Sequence, residues 1–270
     1  MKIAFAGTPR FAATILRSLV SSPHEVGLVI SQPDPRKGRG RKRKQTPVAE
    51  VAKSHGLALR QPARISETSD ELSHFDALVV AAYGQILRPD TLYAAREGAW
   101  NVHASLLPKY RGAAPVERAI MDGESETGVT IMQMDEGLDT GRIALQRSTP
   151  ILPDMTGGEL TELLAEIGAK AIVESLTTLE AGNLTLVEQD SLYATYASKV
   201  TDEDRIIRWE RGAGEVHGLV RALAPHIGAR TFHPDIEGPI KIWRSRIRDE
   251  AIISPEIGRI KAENGCIVVN

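Results

Sequence analysis

Over the first 180 residues, short apolar runs alternate with segments whose apolar positions recur every three or four residues. KIAFAG (2–7) reads as a buried strand running into a glycine turn, FAATILRSLVSS (11–22) as a helix, and EVGLVIS (25–31) as a second strand. TPVAEVAKSHG (46–56) carries its own punctuation: Thr46 is placed to cap, Pro47 to occupy the first helical position and Gly56 to stop the helix. LALRQ, DALVVAAYG (76–84) and GAWNVHAS (98–105) supply three more short strands. Strands separated by helices predict right-handed crossovers and a mostly parallel sheet, hence the α/β class with a Rossmann-like first domain. ETGVTIMQMD (126–135) alternates cleanly and runs through EGLDTG into IALQRSTPI, a pair expected to form a hairpin at one edge. Leu160, Leu163, Leu164, Ile167, Ala171, Ile172, Leu176 and Leu179 mark one face of a long helix within 156–182, which would close this domain.

Beyond about residue 190 the texture changes. EVHGLVRALAP (215–225) reads as a helix, and the short alternating runs after it predict a small β domain. The expected division is therefore 1–188, a linker over 189–202, and 203–270. The final IVVN is an apolar strand with no partner following it, so the β domain is expected to be incomplete.

Composition sharpens the class without naming a chemistry. The chain has 270 residues, 42% apolar and 25% charged, as in a water-soluble globular protein. No apolar run approaches the roughly 20 residues of a spanning helix, so no membrane partner is expected. MKIAFAGTPRF is broken too early to be a secretory signal, and the single cysteine, Cys266, rules out an internal disulfide framework or a multi-cysteine zinc cage. A reducing, cytoplasmic setting is the expectation. The net charge is −2, yet Arg36-Lys37-Gly38-Arg39-Gly40-Arg41-Lys42-Arg43-Lys44 packs seven cations and two glycines into nine residues. Such a tract with no acid in it repels itself until an anion arrives, and without aromatics it does not stack on bases. It resembles a phosphate clamp for a folded nucleic acid.

Three further segments carry candidate chemistry. Gly7-Thr8-Pro9-Arg10-Phe11 follows a strand but places proline where a dinucleotide fingerprint needs its second glycine, which argues against a nicotinamide or flavin site. In NVHASLLP, Asn101 and His103 point to one face at the C-terminal end of a parallel strand, where open α/β sheets hold ligands. A carboxamide and an imidazole there can both donate to a developing oxyanion, although a capped strand end with a satisfied histidine explains the pair equally well. MDEGLDTG (134–141) offers an acid to pair with His103 and raise its pKa; spacing does not choose between Asp135 and Asp139. No His or Cys lies near these acids and calcium-loop spacing is absent, so no metal is expected.

Taken in order, AGTPRFA, QPD…GRGRK…TPV, AAYGQIL, NVHASLLPKYRGAAPV and MDEGLDTG resemble the methionyl-tRNA formyltransferases, and TYASKV…W and PIKIWR extend the likeness along the whole chain. NVHASLLP and LDTG belong to folate-dependent formyltransferases generally; the GRGRK loop and the added β domain point to the tRNA enzymes among them. The resemblance implies formyl transfer from 10-formyltetrahydrofolate to the α-amino group of methionine on initiator tRNA, by a cytoplasmic, monomeric enzyme without metal. It implies Asn101, His103 and Asp139 as the catalytic trio, which settles on Asp139 over Asp135. It implies a folate site from Ser105, Leu106, Leu107 and Pro108 together with Tyr83, Gly84, Gln85, Ile86 and Leu87. Arg36, Lys37, Arg39, Arg41, Lys42, Arg43 and Lys44 would bind the tRNA acceptor stem, and residues 203–270 would form an OB-like tRNA-binding domain lacking its last strands. Two rivals stand beside this reading. A formyltransferase acting on an amino-sugar nucleotide would share the trio but not need the cationic loop. A tRNA-binding protein that has lost catalysis would not need the trio.

Overall fold

The computed structural model describes residues 1–37, 42–248, 257–263 and 266–269. Seven strands form one sheet: β1 (Lys2–Gly7), β2 (Glu25–Ile30), β3 (Leu59–Arg60), β4 (Ala77–Ala81), β5 (Ala99–His103), β6 (Glu126–Gln133) and β7 (Ile143–Pro150), in the order β7-β6-β5-β4-β1-β2-β3. The pairs from β3 to β5 are parallel, whereas β6 runs antiparallel to β5. The architecture is the expected Rossmann-like one, with β7 at the edge beside β6. Strands β1 and β4 are buried along nearly their whole length, which is why both read as continuous apolar runs rather than alternating ones.

Helices form where the periodicity put them. Helix α1 (Arg10–Val20) buries Phe11, Ala12, Ile15, Leu16 and Leu19 along one stripe. In α2 (Pro47–Ser54) the Thr46 hydroxyl accepts the Ala49 N–H at 3.1 Å, Pro47 opens the helix, and Gly56 follows its end at φ +65°. Gly7 is required by packing rather than by a pyrophosphate: a Cβ there would lie 2.6 Å from Ala12 Cβ and 2.9 Å from the Ala81 carbonyl oxygen.

Packing groups the chain into two compact units whose segments interleave. One comprises Met1–Gly112, Thr127–Thr149 and Thr161–Tyr196; the other comprises Ala113–Glu126, Pro150–Leu160 and Ala197–Asn270. The division expected from composition, with a linker over 189–202, is contiguous, whereas these packing units are built from interleaved segments. Helix α3 (Pro115–Met121) packs with α5 (Ala213–Leu223), and Gly218 lets them approach, since a Cβ there would meet the Ile120 carbonyl oxygen at 3.3 Å. Ile207, Val220, Leu223 and Ala229 form the core of that unit. Between these helices in sequence lies the long α4 (Gly157–Glu180), opened by a reciprocal cap in which Thr156 and Glu159 each accept the other's backbone N–H.

The later strands of the second unit are short and antiparallel: β8 (Ala229–His233) with β9 (Ile236–Ile242), and β10 (Ile260–Glu263) with β11 (Cys266–Val269). The last apolar strand thus has a partner, Ile260 opposite Val269, which precedes it in the chain instead of following it. In the cationic segment, Arg36 pairs with Arg43 and Lys37 with Lys42 in a two-residue ribbon; Gly38, Arg39, Gly40 and Arg41 lie outside the described residues. Asp34 ties the ends of that segment together, its Oδ1 accepting the Thr46 N–H and the Gln61 side-chain amide. Among the described residues no helix is long and apolar enough to cross a membrane.

Candidate active site

Strand β5 delivers the first two groups. Its register sets Asn101 beside Val80 of β4 and Met132 of β6, and His103 beside Thr130. Asn101 and His103 share the face of Ala99 and Val80, which belong to a core cluster with Leu78, Ala4 and Leu87. Val102 points the opposite way and packs against Gly168 of α4, where a Cβ would lie 2.7 Å from Val102 Cγ1. The functional face of the strand end is therefore set by a close helix–strand contact on its back.

Asp139 completes the group from the loop between β6 and β7. Its Oδ1 accepts from Asn101 Nδ2 at 3.4 Å, its Oδ2 accepts the Gly112 N–H at 2.8 Å, and Oδ2 lies 3.8 Å from His103 Nδ1. The other ring nitrogen, Nε2, is 2.9 Å from the Tyr110 carbonyl oxygen. A carbonyl only accepts, so Nε2 carries a hydrogen and the ring is held by that bond. The 3.8 Å separation at Nδ1 is beyond hydrogen-bond range but within ion-pair reach of the Asp139 carboxylate. His103 is 6% exposed and the Asp139 side chain 13%, so the trio sits in a largely desolvated notch.

The choice between the two acids has a structural account. Asp135 Oδ1 accepts the Gly137 N–H at 3.0 Å and the Thr140 hydroxyl at 2.6 Å, so this carboxylate is consumed in shaping its own turn. Asp139 occupies the left-handed region at φ +52°, a conformation that costs a non-glycine residue of order 1 kcal/mol and persists when its surroundings over-determine it. Gln189 supplies that constraint: its Nε2 donates to the carbonyls of Asp139 (2.9 Å) and Gly141 (2.7 Å), while its Oε1 accepts twice from buried Arg111.

The segment after His103 is fastened from below. The Thr130 hydroxyl donates to the Ser105 carbonyl and accepts the Leu107 N–H; Gln146 donates to the Leu107 carbonyl; the Ser105 hydroxyl donates to Lys109 at 2.6 Å. Ser105 and Leu107 are buried, so their side chains belong to the scaffold, and Leu106 and Pro108 present the half-exposed surface. The 83–87 segment divides the same way. Tyr83 is buried, its phenol pushed up to about 12 chiefly by that burial, and its carbonyl accepts from Thr8 and Gln32. Leu87 lies in the core, and Gln85 is spent on Ile65, Ala63 and Gln32. Gly84 and Ile86 remain exposed. Of these two segments, Leu106, Pro108 and Ile86 are the residues that present apolar side-chain surface to solvent. Lys44 is exposed and belongs to none of these groups.

Reading the sequence missed Tyr110, Gly112, Gln189 and Thr195. The Thr195 hydroxyl accepts the Tyr110 N–H at 2.8 Å, and its carbonyl accepts the Arg111 N–H, so it steadies the peptide that holds His103. Gln189 and Thr195 fall in the stretch read as a linker, which has no periodicity to mark them; KYRG at least stood inside a quoted motif.

The formyl transferase family matches residues 1–176, and the formyl transferase C-terminal domain matches residues 199–270. The methionyl-tRNA formyltransferase of Rubrobacter xylanophilus is 64% identical over 269 residues, covering 100% of this chain and 88% of that one. That of Symbiobacterium thermophilum is 46% identical, covering 99% and 81%. Among solved structures, the N-formyltransferase of Helicobacter canadensis in complex with folinic acid and dTDP-3-aminofucose superposes with a TM-score of 0.77 at 19% identity, covering 100% of this chain and 95% of that one. Glycinamide ribonucleotide transformylase 1 of Symbiobacterium toebii gives 0.58 at 21% identity, covering 70% and 94%. At such identities the structures speak for the fold alone, whereas the full-length relatives are close enough in sequence to decide the family: the chain belongs to the formyl transferases, among the methionyl-tRNA formyltransferases.

Proposed function

We propose that this chain transfers the formyl group of 10-formyltetrahydrofolate to the α-amino group of methionine carried by initiator tRNA. The convergence of Asn101, His103 and Asp139 at the C-terminal end of β5 carries the reading, and the full-length relatives named for that activity support it. The half-exposed Leu106 and Pro108 after β5 and exposed Ile86 after its neighbour β4 suit a flat, largely apolar donor held at adjoining strand ends. When bound, that donor supplies an already activated formyl carbon.

Asn101 Nδ2 and the His103 Nδ1 edge converge on the position of the formyl oxygen. As the amine attacks, Asn101 donates to the oxygen while negative charge builds on it, and Nδ1 donates beside it from the imidazolium form of His103, since Nε2 already carries the hydrogen bonded to Tyr110. Asn101 must turn its amide from Asp139 to do so, a small movement for a 3.4 Å contact. Asp139 takes the proton released by the attacking amine, directly or through water, and returns it to the folate nitrogen as the carbon–nitrogen bond to the donor breaks. One carbon–nitrogen bond forms, one breaks, and one proton moves between the two nitrogens.

The cationic stretch 36–44 supplies the tRNA contact in this reading. Seven cations without an acid over nine residues repel one another until an anion arrives, which suits a phosphate backbone. The reaction is placed in the cytoplasm, with a monomer as the acting unit. The deciding assay is formyl transfer from 10-formyltetrahydrofolate to charged initiator tRNA, with charged elongator tRNA as control. Absence of product with both tRNAs would refute the assignment; equal rates would remove the initiator specificity.

A further inference from the structure

We infer that Gln189 is a positioning residue for formyl transfer, holding the Asp139 carboxylate in register with Asn101 and His103; this rests on the catalytic reading of Asp139 given above. The geometry is over-specified in a way that a packing role does not require. A guanidinium can only donate, so both Arg111 contacts, Nε at 3.1 Å and Nη2 at 2.8 Å, fix which end of the Gln189 amide is oxygen. Its nitrogen then faces the opposite way and divides its two hydrogens between the carbonyls of Asp139 and Gly141. Every polar position of that amide, two hydrogens and two acceptor directions, is in use.

The groups it holds are those whose placement is least secure. Asp139 sits at φ +52° in a seven-residue turn from Asp135 to Gly141. That turn is braced internally by Asp135, and its end is tight, since a Cβ on Gly141 would fall on the Gln133 carbonyl oxygen. Three further attachments reach Asp139 from outside: the Gly112 N–H and the longer Asn101 contact on its carboxylate, and Gln189 on its carbonyl. Arg111 and Gly112 are adjacent, so the peptide that bonds the carboxylate and the guanidinium that aims Gln189 move as one piece. The arrangement closes a ring, Asp139 carbonyl–Gln189–Arg111–Gly112–Asp139 carboxylate, that sets the position and rotation of one side chain. Charge on Arg111 polarises the amide and strengthens its donation to the carbonyls. Loosening this ring by a fraction of an ångström would leave the carboxylate present and mispositioned, which reduces turnover more than binding.

The test is a double-mutant cycle read in single-turnover formyl transfer to charged initiator tRNA. Gln189→Glu keeps the length and the acceptor for Arg111 but replaces the two N–H donors with an oxygen facing two carbonyls. The expected result is a fall in the transfer rate of roughly 10- to 100-fold, with the KM for folate and for tRNA changing less than about 3-fold. In an Asp139→Asn background, Q189E should cost less than about 2-fold more, because the side chain it positions has already lost its function. Gln189→Ala, run through the same cycle, serves if Q189E does not fold, and thermal melts accompany each variant. Multiplying losses in the double variant, or a rate within 2-fold of the parent for Q189E, overturns the positioning role. If D139N itself keeps the parental rate, the catalytic assignment of Asp139 falls and this inference with it; if D139N is inactive while Q189E is not, only the inference falls.

Discussion

The backbone N–H of Gly112 donates to Asp139 Oδ2 at 2.8 Å, and it does so from a backbone that only glycine adopts freely, φ +123°. A residue with no side chain therefore helps aim the carboxylate that the proposed mechanism uses as its proton carrier. Gly112→Ala forces that peptide out of its conformation or strains it by about 1–3 kcal/mol. The expected outcome is a 10- to 100-fold lower kcat with folate affinity retained, because the displaced group is an N–H that orients Asp139. Steady-state kinetics alongside a folate titration check this, and an unchanged kcat would show that the Gly112 bond is incidental.

In the proposed mechanism the trio separates by role. Asn101→Ala removes one oxyanion donor and should lower kcat about 10²–10³-fold. His103→Ala removes the second donor and should cost a similar or larger factor. Asp139→Asn is the cleaner probe of the acid, because asparagine tolerates positive φ and can still accept the Gly112 N–H while no longer taking a proton. Turnover should fall by about 10²–10⁴-fold with folate binding intact. Near-normal turnover in any of the three would remove that residue from the mechanism.

Much of this was legible before any coordinates. The parallel sheet followed from the apolar runs of β1, β2 and β4, and the same-face placement of Asn101 and His103 followed from strand alternation alone. What the sequence could not reveal depends on contacts distant along the chain. Gln189 reaches Asp139 across 50 positions, and Thr195 reaches Tyr110 across 85. Neither spacing leaves a periodic trace, so both residues looked like connecting chain. Burial was equally hidden: nothing local separates Leu106, half-exposed, from Leu107, which faces the core. The interleaving of the two packing units leaves no mark in composition, which changes near 190 while packing changes first at Ala113.

Behind the site, Gly168 leaves no room for a side chain. A Cβ there would sit 2.7 Å from Val102 Cγ1, and a β-branched neighbour has few rotamers with which to retreat. Gly168→Ala should destabilise the protein by about 1–3 kcal/mol through overpacking, despite the better helix propensity of alanine. Because Val102 lies between Asn101 and His103, the same change should lower kcat. Urea unfolding and kinetics on one preparation test both; a more stable, fully active variant would mean the helix shifts without disturbing the strand.

Asp204 gives a pH-dependent term in the second unit. Its carboxylate receives Arg118 Nη2 at 2.7 Å and Nη1 at 3.2 Å, and the Thr201 N–H at 2.8 Å. Those bonds, the Arg118 one foremost, hold its pKa well below the usual carboxylate range. A depressed folded-state pKa contributes stability that is present above the unfolded value of about 3.9 and is lost as pH falls through the folded value. With both side chains partly exposed, the pair should contribute about 1–2 kcal/mol. Asp204→Asn should then lower Tm at pH 7 by about 2–6 °C, and the gap between variant and parent should narrow steadily below about pH 4. Melts at pH 7, 5, 4 and 3 check the sign. A gap that widens toward low pH would contradict the pairing.

The cationic segment makes its own prediction, carried by charge and register. Backbone register sets Arg36 opposite Arg43 and Lys37 opposite Lys42, and residues 36–44 hold seven cations and no acid, a composition that favours a polyanionic partner. Binding that releases counterions weakens as salt rises, with a slope of about 0.7–0.9 per phosphate neutralised. Replacing Arg39, Arg41, Lys42 and Arg43 together with Ala should reduce the salt slope for initiator tRNA by about three and raise its KM severalfold at low salt. The folate KM should hardly change, because the apolar surface suited to the donor follows β4 and β5 rather than residues 36–44. Asp34 and Thr46 are left in place, so the ends of the segment stay tied and any loss belongs to the cations. Measuring both constants at two ionic strengths separates the alternatives: an unaltered tRNA slope would make the tract a solvated charge run, and a parallel change in the folate KM would mean the substitutions had disturbed the sheet end itself.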